Sequence, residues 1–549
     1  MNWARRMWQP GAVAGVFLLL AIVHTWPLAS DLGGLSRNDN ADTMLNTWIV
    51  AWVSRTLPVD AVGVFDANIF HPNPDTLTYS EPLIVPGVMA IPFARLGVSA
   101  VQTYNVLLLI GFTLTALAMY ALVKAWTGDP WAGLLAGALM AFNAHSMTRL
   151  PHMQAVHVQW LPLAIWSLDR VLTGQRTRDA LWLALWIVLA ALTSGYLAIF
   201  IGVAAAAGVV ARIPEWWGRR GRPALTRLAA AAGAALLLAT ALLWPYRQIR
   251  VEGGVRRSLD SVAVYSGSLW SYLSTTAWPH FNVWSHRIYG ELTQEALFPG
   301  VLALGLTVAA LASGKPSGAA RRRMCLAIAA VGFVLSLGTS TPIYAWAYQL
   351  IPPMQGMRAA ARFGILVLFA VAALAGMGLA DLRRRLPARA GLVAGVVALA
   401  LGTGEALHAP LQLEPYDGIP EIYAQIAKDP DPGAVLELPV FGGATFHRNA
   451  RYVLAATAHW KPLVNGYSGR RPEGFDADAA LLNRLPARAA IGRVRELGVR
   501  YVLVHLDLYR NPQRGRELVR RLDRHGRFIP VGREGAIRLY RVRDPAGRR

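Results

Sequence analysis

The sequence predicts an α-helical polytopic membrane protein with a small α/β domain at its C-terminal end. Three observations predict it. The chain is 54% hydrophobic and 16% charged, against about 25% charged in ordinary soluble domains. Its apolar residues are gathered in blocks of about twenty, the length that crosses a ~30 Å hydrocarbon core. Basic residues sit in the short segments between those blocks.

The formal charge of +22 resembles that of a nucleic-acid binder, but its placement argues otherwise. Arg5 and Arg6, Arg176 and Arg178, Arg219, Arg220 and Arg222, Arg321 to Arg323, and Arg383 to Arg385 all fall between apolar blocks. Such segments are cytoplasmic loops under the positive-inside rule, and no aromatic-interleaved basic module accompanies them. The basic start and the apolar run to about Ala29 read as an uncleaved signal anchor. Predicted spans lie near 11–29, 103–126, 131–148, 157–173, 179–195, 196–213, 225–244, 296–313, 324–340, 362–381 and 390–408, about eleven in all. Alternation then puts the N-terminus inside. It puts the first loop (about 30–100), residues 245–295 and the tail after 410 on the extracytoplasmic face of a bacterial inner membrane. Residues 82–96 are apolar but short and carry Pro86 and Pro92, which predicts an interfacial or re-entrant helix.

The expected domains are therefore a membrane domain, 1–410, and an extracytoplasmic α/β domain, 411–549. In the tail, runs at 434–440, 452–456, 501–506 and 537–542 read as strands. A helix is expected over 487–497, with Gly498 ending it. The lone Cys325 forms no intramolecular disulfide and reads as a small core residue.

Candidate chemistry concentrates in the outer segments. The first loop reads SRNDNADTMLNTWIVAW, placing Asp39 and Asp42 beside a helix whose apolar face suits the membrane surface. Asp42 stands where a carboxylate caps a helix. Further along, His71, Asp75 and Glu81 lie among prolines; Glu81 precedes the interfacial helix, where burial raises a carboxyl pKa. In NAHSMTRLPHMQAVHVQWLPL, His145, Arg149, His152, His157 and Gln159 cluster. Their spacing is not the short i, i+4 ligand pattern with a cysteine or carboxylate partner, which favours phosphate or sugar recognition, or plain interfacial packing, over a zinc site. Tyr265, Trp270, Tyr272 and Trp278 suit sugar stacking or an aromatic belt. Arg358 and Arg362, four apart, are expected to face one way at the outer mouth of a span, paired with a phosphate or a carboxylate.

The segments DNADTMLNTWIVAW, IFHPNPDTLTYSEPL, HMQAVHVQWLPL, VYSGSLWSYL, MRAAARFG and PLVNGYSG together resemble the bacterial multi-spanning members of the GT-C superfamily of glycosyltransferases. The resemblance implies interfacial helices in the first loop and a polyprenyl-phosphate-linked sugar as donor. It also implies an inverting transfer to an extracytoplasmic acceptor glycan, lipid or protein. The family's catalytic aspartate maps onto Asp39 or, less comfortably, Asp42. Arg358 and Arg362 match its phosphate-binding cations, and Glu81, His71, His152, His157, Gln159 and Tyr265 are left to hold donor or acceptor. The resemblance fixes no cofactor; a divalent cation, Mg or Mn, is the one it leaves open, and it would fall to Asp39. Asn38–Asp39–Asn40 stands where some relatives carry an adjacent acidic pair. The rival readings are a catalytically silent GT-C-like scaffold and a lipid or glycan transporter or flippase.

Overall fold

The computed structural model describes residues 10–218, 221–252, 257–313 and 318–543, leaving aside the side chains of 249–252. Arg5, Arg6, Arg219 and Arg220 lie outside the described residues. The chain forms two compact units: Met1–Asp31 with Asn105–Gln412, and Leu32–Tyr104 with Leu413–Arg549.

The first unit is mainly helical, and each expected span carries a helix. Among the described residues, four helices are long and apolar enough to cross a membrane: Ala100–Thr127, Arg222–Leu242, Ala360–Arg385 and Ala388–Glu405. The others, such as Pro10–His24, Gly195–Ala211 and Val301–Ala312, are shorter. Asp129 explains one boundary: its carboxylate accepts the Trp131 N–H (2.9 Å), and Pro130 needs no partner in the first turn. The block expected at 131–148 breaks at Phe142, where Asn143 caps a separate turn, Ala144–Thr148, by accepting the Ser146 N–H (2.9 Å).

The centre of this unit is the Gly364–Arg385 helix, 94% of whose apolar stretch is buried, whereas Arg222–Leu242 is only 11% buried. An apolar helix so exposed takes lipid as its solvent. Close packing at the centre relies on small residues. A Cβ on Gly378 would sit 2.0 Å from the Leu306 carbonyl oxygen, and one on Gly376 2.9 Å from that of Ala132.

Four arginines of the expected loops, Arg321, Arg322, Arg383 and Arg384, are paired with acids, which their sequence positions did not reveal. Asp169 accepts from the Trp126 indole (3.0 Å), from Arg321 (3.1 Å) and from the buried Arg212. Asp381 takes Arg322 (2.8 Å) and Arg384 (2.6 Å), and Asp129 takes Arg383 (2.7 Å). These pairs make up a charge network of carboxylate-centred clusters, on Asp169, Asp381 and Asp129, at the ends of several helices. Cys325 is fully buried in the helical core, as expected.

In the second unit, the first-loop helices Ala41–Thr56 and Ile84–Arg95 pack on each other through Gly87, where a Cβ would lie 2.3 Å from Val53 Cγ1. The second is 12 residues long, too short to span. A two-residue ladder pairs β1 (Leu35–Ser36) with β2 (Glu414–Pro415). The tail forms a mixed sheet from β3 (Ala434–Leu438), β4 (Val499–His505), β5 (Phe528–Glu534) and β6 (Ile537–Val542), in the order β3-β4-β6-β5. Only β3 and β4 are parallel. The Arg488–Glu496 helix ends at Gly498, whose φ of +60° suits glycine.

Two expectations need correction. Residues 452–456 are not a strand but lie mostly in a helix, Ala450–Ala455; a short buried apolar run does not distinguish the two by pattern. Strand β5 was missed because it is an edge strand interrupted by Pro530 and a register shift before Gly532.

Replacing Asp169 by Asn removes the carboxylate shared by Arg212 and Arg321 and leaves Arg212 with Glu215 alone, and is expected to destabilise the protein by about 1–3 kcal/mol. Thermal unfolding in detergent measures this; Arg385→Gln, an exposed control, should leave the midpoint unchanged.

Candidate functional site

The second unit positions the first-loop acids. Asn40, in an extended conformation, caps the Ala41–Thr56 helix by accepting the Asp42 N–H (2.8 Å). The capping expected of Asp42 therefore falls to Asn40, one position before the helix begins. Asp42, in the first turn, instead has its Oδ1 as acceptor for the Tyr467 hydroxyl (2.8 Å). Asp39 is more exposed and forms an ion pair with Arg37 (3.0 Å).

Tyr467 is held by the segment 462–470, which runs against the first loop. Leu463 N–H donates to Asn68 O (2.7 Å), His71 N–H to Leu463 O (2.9 Å) and Phe70 N–H to Asn465 O (3.0 Å). Gly466 is required there, because a Cβ would lie 2.4 Å from the Phe70 ring. Phe70 itself has φ +58°, a left-handed conformation that its surroundings must enforce. Asn465 anchors the segment to β3: its Oδ1 accepts the Glu437 N–H (2.8 Å) and its Nδ2 donates to Glu437 O (2.9 Å). The Glu437 carboxylate is buried, and its Oε2 meets both the Tyr423 hydroxyl (2.7 Å) and His505 Nε2 (2.6 Å).

His71 and Glu81 belong to the same unit, both half-buried. Burial holds the His71 imidazole below the usual histidine range, so it is neutral at pH 7. Arg470 lies over the Tyr79 ring at 5.5 Å. The structure thus brings Asp39, Asp42, His71 and Glu81 into one compact unit with Tyr467.

The remaining candidates belong to the helical unit. Arg358 and Arg362 do not share a helical face: Arg358 is in an extended segment and Arg362 in a 3-10 turn, Ala360–Phe363. They meet instead on Tyr196. Its hydroxyl accepts the Arg358 N–H (2.9 Å), and the Arg362 guanidinium lies 5.1 Å over its ring. The Arg358 side chain is exposed and lies 5.0 Å over the Tyr265 ring. Among the described residues Arg358 has no carboxylate partner. A guanidinium stacked by its face keeps its N–H edge for an anion.

Arg362, Arg149 and His152 all lie within electrostatic reach of the buried His145. Arg149 is paired with the buried Glu295. His157 and Gln159 are buried. His157 Nε2 donates to Leu107 O (3.0 Å), its Nδ1 meets the Gln159 amide (3.4 Å), and Thr115 reaches both Val156 O and Gln159. This chain of donors and acceptors makes His157 the Nε2–H tautomer.

Among the described residues, no three His, Cys, Asp or Glu side chains converge to hold a metal ion. Asp39, to which a divalent cation would fall, is ion-paired with Arg37 (3.0 Å). Sequence reasoning assigned no role to Tyr196, Tyr467 and Glu295. Tyr467 lay within the quoted segment PLVNGYSG, but nothing in the pattern indicated its partner.

Asn465→Ala should free the 462–470 segment and destabilise the unit by about 1–3 kcal/mol, the cost of unpaired buried groups. Hydrogen exchange is expected to accelerate at the Phe70 and His71 amides before the amides of β4 respond.

No curated protein matches the sequence. Among solved structures, the chain is similar to the arabinofuranosyltransferase AftD from Mycobacteria, at 18% identity and a TM-score of 0.59, covering 97% of this chain and 40% of that one. The oligosaccharyltransferase AglB from Archaeoglobus fulgidus, in complex with an inhibitory peptide and a dolichol-phosphate, gives 13% identity, a TM-score of 0.51 and coverage of 92% and 70%. ArnT from Cupriavidus metallidurans bound to undecaprenyl phosphate gives 12%, 0.50, and 98% of both chains. The chain thus spans less than half the length of AftD. These neighbours are GT-C glycosyltransferases, and the fold is the GT-C fold. Residues 62–402 match the family described as a domain of unknown function, DUF6311, and the chain belongs to that family.

Proposed function

We propose that the protein is a membrane glycosyltransferase that moves a sugar from a polyprenyl-phosphate donor to an extracytoplasmic acceptor, with inversion. What carries the reading is the Asp42–Tyr467 hydrogen bond. In a chain of GT-C fold, it immobilises a carboxylate in the loop where the superfamily places its base. A base must be held in register with the proton it takes, and Asp42 meets that requirement better than Asp39, which is exposed and paired with Arg37.

In the proposed step an acceptor hydroxyl oxygen attacks the anomeric carbon while the bond from that carbon to the donor phosphate oxygen breaks. The hydroxyl proton goes to Asp42, and the bonding pair leaves with the polyprenyl phosphate. Arg358 and Arg362 supply positive charge to the departing phosphate, whose charge rises as the bond breaks. Glu81 and His71 hold acceptor or donor hydroxyls, with His71 neutral. The acids and the donor phosphate lie on the extracytoplasmic side of a bacterial inner membrane in this reading, with about eleven spans setting the topology. The dolichol-phosphate and undecaprenyl phosphate named for AglB and ArnT support a polyprenyl-phosphate donor.

Purified protein in proteoliposomes, given a panel of polyprenyl-phosphate sugars, should release polyprenyl phosphate from at least one. Asp42→Asn is expected to lower turnover by about 10²–10⁴-fold, the contribution of a general base, while Asp39→Asn retains most activity. Arg358→Gln should lower turnover by roughly 10–100-fold through lost phosphate stabilisation. Unchanged turnover in both Asp42→Asn and Arg358→Gln would sink the proposal, and release from no donor would favour a catalytically silent scaffold.

A further inference from the structure

A groove of about 560 Å³ opens in the second unit between the Ala41–Thr56 and Ile84–Arg95 helices, the start of the Ala100–Thr127 helix and residues near Tyr416 and Trp460. Asp42 and Tyr467 are not among its walls. Its size is that of a small-ligand site, roughly 300–1,000 Å³.

Two arginines line it. Arg55 comes from the last turn of one helix and Arg95 from the last turn of the other. Arg55 lies over the Trp460 ring at 5.1 Å. Trp460 has a φ of +59°, and its N–H is tied to Ala456 O (2.8 Å). The helices that carry the arginines are locked at close range by Gly87 against Val53. Among the described residues neither guanidinium has a carboxylate partner, and Asp60, the acid nearest Arg55 in sequence, accepts the Gly63 N–H (2.8 Å). The arginines of the helical unit's charge network, by contrast, are matched with acids.

A helix C-terminus favours a cation, which accounts for one arginine on each helix. It does not account for two cations lining one cavity, whose like charges an entering anion would offset. The rest of the wall is largely apolar, including Val50 and Val98, and the apolar surface continues outward: Val59 is 84% exposed and Leu96, beside Arg95, 80%. An anionic head joined to an apolar body matches both halves of this lining.

We propose that the groove binds an anionic phospholipid, with Arg55 and Arg95 on its phosphate and the apolar wall against the first methylenes of its chains. The inference rests on the membrane character of the chain and is independent of the glycosyl-transfer reading. Such a lipid would seat the first-loop helices on the membrane surface.

The test is native mass spectrometry of the full-length protein in detergent, supplied with phosphatidylglycerol or phosphatidylcholine. Wild type should retain phosphatidylglycerol about tenfold better, from two arginines near one phosphate. Arg55→Gln/Arg95→Gln should abolish the preference, and so should Val98→Trp, which fills the groove without altering charge. Arg385→Gln/Arg389→Gln should keep it. Thermal unfolding of each variant establishes that it is folded. Equal retention of the two lipids by wild type, or an undiminished preference in the folded Val98→Trp or double-Gln protein, would overturn the proposal. So would displacement of phosphatidylglycerol by inorganic phosphate, which marks a site for the head alone, or by undecaprenyl phosphate at equal concentration, which assigns the groove to a donor carrier.

Discussion

The second unit depends on the backbone pairing of residues 463–465 with residues 68–71. Three main-chain hydrogen bonds join segments almost 400 positions apart in sequence (Asn68 to Lys461 is a separation of 393). Closing a loop of that length costs entropy, but only logarithmically in its length, and the contact is reinforced at both ends. Asn465 ties one side to β3 through paired bonds with Glu437, and the Phe70 ring occupies the space that Gly466 leaves open. Tyr467 follows two residues after Asn465, so the segment that closes the unit also delivers the hydroxyl to Asp42. Folding of the tail and placement of the first-loop carboxylate are therefore one event.

The arginines divide by what meets them. Arg212, Arg321, Arg322 and Arg383 meet carboxylates at the ends of helices, where an unpaired charge near hydrocarbon would be costly. Arg358 and Arg55 meet aromatic faces instead. A cation–π contact contributes about 0.5–1 kcal/mol at exposed sites. It orients the guanidinium without neutralising it. The first group holds helices together; the charge of the second is not offset by a carboxylate among the described residues. Residue type alone does not separate them.

Much of the fold was legible because its signals are local. Each expected span carries a helix, since a block of apolar residues can satisfy its backbone in a membrane only by coiling. The Arg488–Glu496 helix and its glycine end were legible from periodicity and from the one residue type that suits a positive φ. The run at 452–456 was misread because five residues hold too little periodicity to separate helix from strand. Strand β5 was hidden because an edge strand tolerates the proline and glycine that argue against a central one.

The candidate site was legible only in its parts. Aspartates, histidines and arginines stand out in an apolar sequence, so Asp39, Asp42, Glu81, Arg358 and Arg362 could be selected by type and position. Their partners could not, because partnership is set by contacts between distant segments. Asn40, not Asp42, caps the first-loop helix; Tyr467 holds Asp42; Tyr196 joins Arg358 and Arg362, which no helical face does. Hydrophobicity and charge act residue by residue and are written along the chain. A hydrogen bond of 2.8 Å between positions 42 and 467 exists only once the chain has folded back on itself, so tertiary structure decided which of the acids is held in place.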